Sequence, residues 1–362
     1  MRENLAETLL ATVMGWDDGD EAKERPILQA IADYKYDEYE QFQPGRRFIE
    51  SLARWLEQFP EISERRTAYR VFRERLIFIS RAEMQHLVAS VYPDLIRRRL
   101  LQRAAADLGV PDHRITDIVR SQAFDVRRRS CLFVGLSDGA HTDVLRRANR
   151  EISNEQVVPD YYALKDRETG LLEDLQNDLR ETLGDEATAA RFTTVVLLDD
   201  FSASGISYVR PQEPGKGKLA RVAAQLQEMT DLLDHGDLQV LIAIYVATKQ
   251  ALTYLRNALV DLEAVATGTW RVDSMQCLPP DIVIQPGVDT ELDVLIENVY
   301  DAAINDRHMQ KGGTDGRYGF AGCGLPVVLT HNTPNNSIAL LWADTGNVRG
   351  LFPRVTRHRE DS

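Results

Sequence analysis

Apolar residues recur at spacings of three and four through "RRFIESLARWLEQF", placing Phe48, Leu52, Trp55, Leu56 and Phe59 on one face. That period predicts an amphipathic helix ending at Pro60. It continues over residues 63–90 through Tyr69, Phe72, Leu76 and Ile79, with "RLIFIS" also open to a strand reading. "PDLIRRRLLQRAAADLG" reads as a further helix, opening at a proline and closing at a glycine. The texture changes at "SCLFVGLSDG", where the short apolar run Cys131–Leu136 meets a turn and then a helical segment from His141 to Asn149. The apolar runs "VVLL" and "LQVLIAIYVAT" then alternate with the helical patterns "ETGLLEDLQNDLRETLG", "LARVAAQLQEMTDLLDHG" and "KQALTYLRNALVDLEAV". Strands flanked by helices of this length predict an α/β fold with a doubly wound parallel sheet. Uninterrupted apolar runs suit strands covered on both faces. Beyond residue 270 the pattern loosens, with a helix expected near 290–309 and a glycine-rich stretch, "KGGTDGRYGFAGCGLP". The expected organisation is a mostly helical N-terminal extension over 1–125, an α/β core over 126–268, and a C-terminal hood over 269–362 that also completes the core.

Composition narrows the classes. No apolar run approaches the roughly 20 residues needed to span a bilayer. The opening "MRENLAETLLATVMGWDDGD" is too acidic for a secretory signal, so a cytoplasmic location is expected. Cys131, Cys277 and Cys323 are far apart, which indicates neither a zinc knuckle nor a disulfide framework. The formal net charge of −13 argues against a general nucleic-acid coat, but it is unevenly spread. Residues 41–150 carry 21 arginines, no lysines and 13 acids, so this stretch has the opposite sign to the rest. One reading of the arginine-rich segment 46–150 is a surface for a protein partner or for self-association. The other is a helical surface paired within the chain at i, i+4. Without interleaved aromatic residues, nucleic acid is not the expected partner.

The most informative stretch is "VVLLDDFSASGIS", Val195–Ser207. Four apolar residues run into two adjacent carboxylates, Asp199 and Asp200, and then into a loop of small residues. In doubly wound sheets, ligands sit beyond the carboxyl ends of the strands. Successive amides in such a loop, leading into a helix, would suit an anion. Two acids beside an anion make sense if they hold neutral hydroxyls or a metal on the same ligand. A sugar phosphate satisfies both halves. The plain alternative is a solvated strand end whose aspartate caps a helix.

These residues resemble the phosphoribosyl pyrophosphate (PRPP) signature of type I phosphoribosyltransferases: apolar strand, two acids, small loop, then Ser/Thr-Gly-x-Ser/Thr. The resemblance implies that Asp199 and Asp200 contact the ribose hydroxyls and help hold magnesium. It also implies that the loop Ser202, Ala203, Ser204, Gly205, Ile206 and Ser207 holds the 5′-phosphate. "LFVGLSDGAHTDVLRRAN" is similar to the strand–loop–helix that binds pyrophosphate in such enzymes, which puts Ser137, Asp138 and Gly139 near the diphosphate. Many members carry a cation in that loop, and this one has none. The whole chain also resembles a phosphoribosyltransferase-like family of bacterial conflict and anti-phage gene clusters. The implied activity is magnesium-dependent transfer of phosphoribose from PRPP to a base or other nucleophile. The alternative is a non-catalytic sensor of PRPP or a nucleotide within a defence system.

Other candidates are weaker. "FSASG" is not a G-x-S-x-G nucleophile elbow, and "GKGKL" lacks the spacing and final hydroxyl of a Walker loop. Of the seven histidines, His141 alone falls near the proposed site, and His331 lies in a polar turn of the expected hood.

Overall fold

The computed structural model describes residues 3–42, 45–184, 190–211, 213–313, 315–345 and 348–354. The chain divides into two compact units, Met1–Glu83 with Asp281–Ser362, and Met84–Pro280. The N-terminal helices therefore share a unit with the C-terminal residues. Residues 126–268 lie in the second unit, together with 84–125 and 269–280. The strands among the described residues are β1 Ile77–Ile79, β2 Cys131–Gly135, β3 Val157–Val158, β4 Thr194–Ser202, β5 Gln239–Thr248, β6 Thr269–Leu278 and β7 Val327–Leu329.

In the first unit the helix Phe48–Glu57 buries Phe48, Leu52, Trp55 and Leu56, as their spacing requires. The Trp55 indole N–H donates to the Leu340 carbonyl at 3.0 Å, so the one polar atom of this buried ring is satisfied. "RLIFIS" resolves as strand β1, which pairs in parallel with β7, Ile77 opposite Val327. This pairing of residues far apart in sequence is what local periodicity leaves open. The expected helix near 290–309 is shorter: it spans Thr290–Val299, and Asp301 then caps a separate turn by accepting from the Ala303 amide at 2.8 Å.

The second unit is built on a five-stranded, all-parallel sheet in the order β3-β2-β4-β5-β6. The intervening helices are Thr142–Ala148, Glu168–Leu183, Lys218–Glu228 and Lys249–Glu263. This is the doubly wound α/β fold expected from the pattern. β4 is the central strand and residues Thr194–Asp199 are all buried, which explains its uninterrupted apolar sequence. β6 is the surprise. "TWRVDSMQCL" alternates poorly and carries exposed polar residues because it is an edge strand, held by β5 on one side. The strand order reverses between β2 and β4, since the chain moves to β3 on one side of β2 and to β4 on the other. Ligands in open α/β sheets bind at such a reversal.

The arginines of 46–150 are largely engaged within the chain. Arg54 pairs with Glu50 and Arg147 with Asp143 at i, i+4, but more pairs join distant segments: Arg70–Asp289, Arg97–Glu151, Arg127–Asp107 and Arg129–Asp178. No described helix is long and apolar enough to cross a membrane.

Candidate functional site

β2 and β4 run together until Gly135 pairs with Leu198, and the Leu136 amide still donates to the Leu198 carbonyl at 2.8 Å. There they part. Ser137, Asp138, Gly139 and Ala140 turn over the end of β4, which brings this loop against the acid pair at the strand-order reversal. Side chains alternate across a strand, so Asp199 and Asp200 point to opposite faces.

Asp199 is 1% exposed and fully engaged. Its Oδ1 accepts from the Ser137 hydroxyl and, at 3.2 Å, from the Asp200 amide. Its Oδ2 accepts from the Tyr208 hydroxyl at 2.7 Å and from the Lys218 ammonium at 2.7 Å. Burial pushes its carboxyl above the usual range, while Lys218 pulls it down, the Asp200 charge pushes it up again, and the Ser137 hydroxyl lowers it. Every neighbour donates, so a proton on either oxygen would face a donor. Four acceptances also fill the carboxylate's capacity. Burial, and then the Asp199 charge, keep the Tyr208 hydroxyl protonated as a donor.

Asp200 is half-buried, and its Oδ1 accepts from the Phe201 amide at 2.8 Å. Gly139 lies directly against it. A Cβ built at Gly139 would fall 2.5 Å from Asp200 Oδ2, so this approach needs a residue without a side chain. Tyr245, which stands on β5 between the residues paired with Asp199 and Phe201, donates to the Ala140 carbonyl. The pyrophosphate-like loop is thereby tied to β4 through Ser137 and to β5 through Ala140.

The loop after β4 keeps unused donors. The amides of Ser204, Gly205 and Ser207 meet no acceptor among the described residues. The Ser202 hydroxyl is buried with no hydrogen-bond partner among the described residues. Ser204 Oγ accepts from the Ile206 amide at 3.3 Å, and the Ala203 carbonyl accepts from Thr248 Oγ1 at 2.6 Å, which fixes the loop against β5. Gly205 has φ +78°, which glycine adopts without strain, and Tyr254 and Leu255 crowd the place of a Cβ. Ala203 is buried, Ile206 half-buried and Ser207 exposed.

Two features differ from the sequence expectation. The loop does not lead directly into a helix. A single turn closes on the Gly205 carbonyl, the insert follows, and the helix begins only at Lys218. The first amides of that helix, Lys218 and Leu219, donate to the carbonyls of Ser207 and Tyr208 at 3.1 and 3.0 Å and so are not presented to a ligand. Lys218 and Tyr208 themselves were missed. They stand nineteen and nine residues from Asp199, and only the fold brings them to it. His141 occupies the left-handed region, φ 44°, just before the helix Thr142–Ala148. His331 belongs to the other unit, where its carbonyl accepts from Gln41 Nε2 at 2.8 Å.

A parallel, doubly wound sheet with two small-residue loops converging on an acid pair at its strand-order reversal defines a phosphoribosyltransferase-like protein. The family model PRTase-CE matches residues 52–354, and the chain belongs to this phosphoribosyltransferase-like family. Neither a curated protein nor a solved structure matches it significantly.

Proposed function

We propose that the carboxyl end of β4 binds PRPP. The carrying observation is the convergence of unused donors, the amides of Ser204, Gly205 and Ser207 and the buried Ser202 hydroxyl, beside one ligand-facing acid. In this reading the 5′-phosphate lies in the 202–207 loop and the diphosphate beside Ser137, Asp138 and Gly139. Asp200 takes the ribose hydroxyls. Asp199 is the organiser that joins the two loops, because its oxygens are filled by protein donors.

Among the described residues no group of three or more His, Cys, Asp or Glu could hold a metal. Asp200, the half-buried carboxylate of the pair, fits magnesium that arrives on the ligand's own phosphates. Bound there, the ion would neutralise charge on the leaving diphosphate. Transfer breaks the bond from the anomeric carbon to the diphosphate oxygen, which leaves with the electron pair. The acceptor's lone pair forms the new bond, and the acceptor then loses its proton. The cationic character that develops at the anomeric carbon needs positioning and nearby negative charge, and Asp200 is placed to supply both.

A second reading, a PRPP- or nucleotide-binding sensor, is favoured by the pyrophosphate-like loop, which carries Asp138 and no cation. Calorimetric titration with PRPP, with and without magnesium, tests the shared binding claim. Magnesium-dependent binding in the wild type that weakens at least about tenfold in Asp200→Asn supports it, and equal affinity in both overturns it. Pyrophosphate release in a screen of bases and nucleosides then separates transferase from sensor.

A further inference from the structure

Two adjacent carboxylates beside a phosphate loop present an electrostatic problem. Like charges near one another repel, and more strongly in a partly buried site than in open water. Neither loop contains a cation: Ser137–Ala140 and Phe201–Ser207 hold none. The cation that is present comes from elsewhere. The Lys218 ammonium stands 2.7 Å from Asp199 Oδ2 and 5.2 Å from the centre of the Tyr208 ring, although Lys218 follows the insert after that loop. The lysine is pinned in place because its own amide donates to the Ser207 carbonyl and the next amide to the Tyr208 carbonyl. Its side chain is 27% exposed while that of Asp199 is 1% exposed, so the ammonium lies on the outer side of the pair. A lysine ammonium has three donors. Asp199 takes one, and the other two meet no acceptor among the described residues. Arg221, one helical turn on, is engaged with the Tyr162 hydroxyl at 3.0 Å and the Lys216 carbonyl at 3.3 Å.

We propose that Lys218 is the specificity-determining cation of this site: it cancels the charge of Asp199 and turns its remaining donors to the ligand, so that the site prefers a sugar carrying a diphosphate over a sugar monophosphate. The proposal rests on the ribose-phosphate reading above. It gives the insert a role, because the insert is what carries a cation back to a site whose loops lack one.

The test uses the full chain and two probes, PRPP and ribose 5-phosphate, titrated by calorimetry with magnesium at low and raised salt. Lys218→Gln keeps an N–H for Asp199 but removes the charge. It is expected to weaken PRPP at least about tenfold more than ribose 5-phosphate, the loss that a charge-assisted hydrogen bond of about 1.5 kcal/mol implies. It should also flatten the salt dependence of PRPP binding. Lys218→Arg should keep the preference. Tyr208→Phe, which removes a neutral donor from Asp199, should weaken both ligands by the same factor. Should Lys218→Gln fail to fold because Asp199 is left buried and uncompensated, the double variant Asp199→Asn/Lys218→Gln removes both charges. It should likewise lose the PRPP preference. A preference that survives in whichever of Lys218→Gln and Asp199→Asn/Lys218→Gln folds overturns the role of Lys218 alone. A wild type that binds neither probe overturns the ribose-phosphate reading, and this proposal with it.

Discussion

The two ends of β4 both hold a buried charge, and they do different things. At its amino end Arg103, 9% exposed, donates to the Thr193 carbonyl at 2.7 Å, Thr194 Oγ1 at 2.8 Å and the Asp237 carbonyl at 2.8 Å. It also pairs with the Asp237 carboxylate at 2.6 Å, and Arg127 links that same carboxylate to Asp107. At its carboxyl end Asp199 is equally well satisfied, by Ser137, Tyr208 and Lys218. Burial and charge alone therefore do not mark a site. What separates the ends is the surroundings: a buried hydroxyl without a partner among the described residues occurs at both, Ser202 Oγ and Thr193 Oγ1, but the carboxyl end adds a half-buried second acid and loop amides that meet no acceptor among the described residues. The amino end is a structural clamp, and the carboxyl end is the one proposed to receive the ligand.

The sharpest way to break this contrast is to remove each charge in turn. Arg103→Met removes one of the two arginines on the Asp237 carboxylate and the side-chain donor to the Thr193 and Asp237 carbonyls. The expected loss is up to about 3 kcal/mol of stability as these charge-assisted hydrogen bonds are lost, read by chemical denaturation, with PRPP affinity of the folded fraction unchanged. A matching loss of affinity would show that the amino end also serves the ligand. Asp200→Asn should do the reverse, weakening PRPP about 10- to 100-fold as charge-assisted hydrogen bonds of about 1.5–3 kcal/mol are lost, with a denaturation midpoint near that of the wild type. Gly139→Ala sharpens the picture further. The new methyl would fall within 3.0 Å of the Asp200 carboxylate and would have to displace it, so a loss of about tenfold in affinity is expected with little change in stability. An unchanged affinity would remove Asp200 from the ligand.

The smallest effect belongs to the amino end. Hydrogen bonds from Arg127 hold the Asp107 carboxyl below the usual carboxylate range. A depressed folded-state value stabilises the protein above the unfolded-state value of about 3.9 and is lost as pH falls through the folded one. Asp107→Asn should therefore flatten the acid limb of the stability profile. Because Asp107 is about one-third exposed, the effect at neutral pH should stay below about 1 kcal/mol. A steeper acid limb in the variant would contradict the pairing.

The same contrast shows what the sequence made legible. The apolar run before Asp199 and Asp200 gave away the central strand, because a strand buried on both faces cannot alternate. The small residues of 202–207 gave away the loop, because close packing against Thr248 and Tyr254 admits little else. β6 was hidden by its position, since an edge strand tolerates Arg271, Asp273 and Gln276 and so loses its apolar signature. Lys218 was hidden by distance: "GKGKL" reads as a flexible turn until the helix behind it docks on Ser207 and Tyr208. Arg103 was hidden among other arginines, because its carbonyl partners Thr193 and Asp237, just ahead of β4 and β5, are about ninety and more residues away. Local pattern reports burial and turn chemistry, whereas charge partners depend on tertiary return.

Backbone amide exchange with and without PRPP and magnesium tests the central claim most directly, since it compares both ends of β4 in one measurement. The account predicts protection on ligand addition over residues 136–141 and 200–208, with exchange unchanged around Thr193, Thr194 and Asp237. Protection at the amino end, or none at the carboxyl end under saturating ligand, would contradict it.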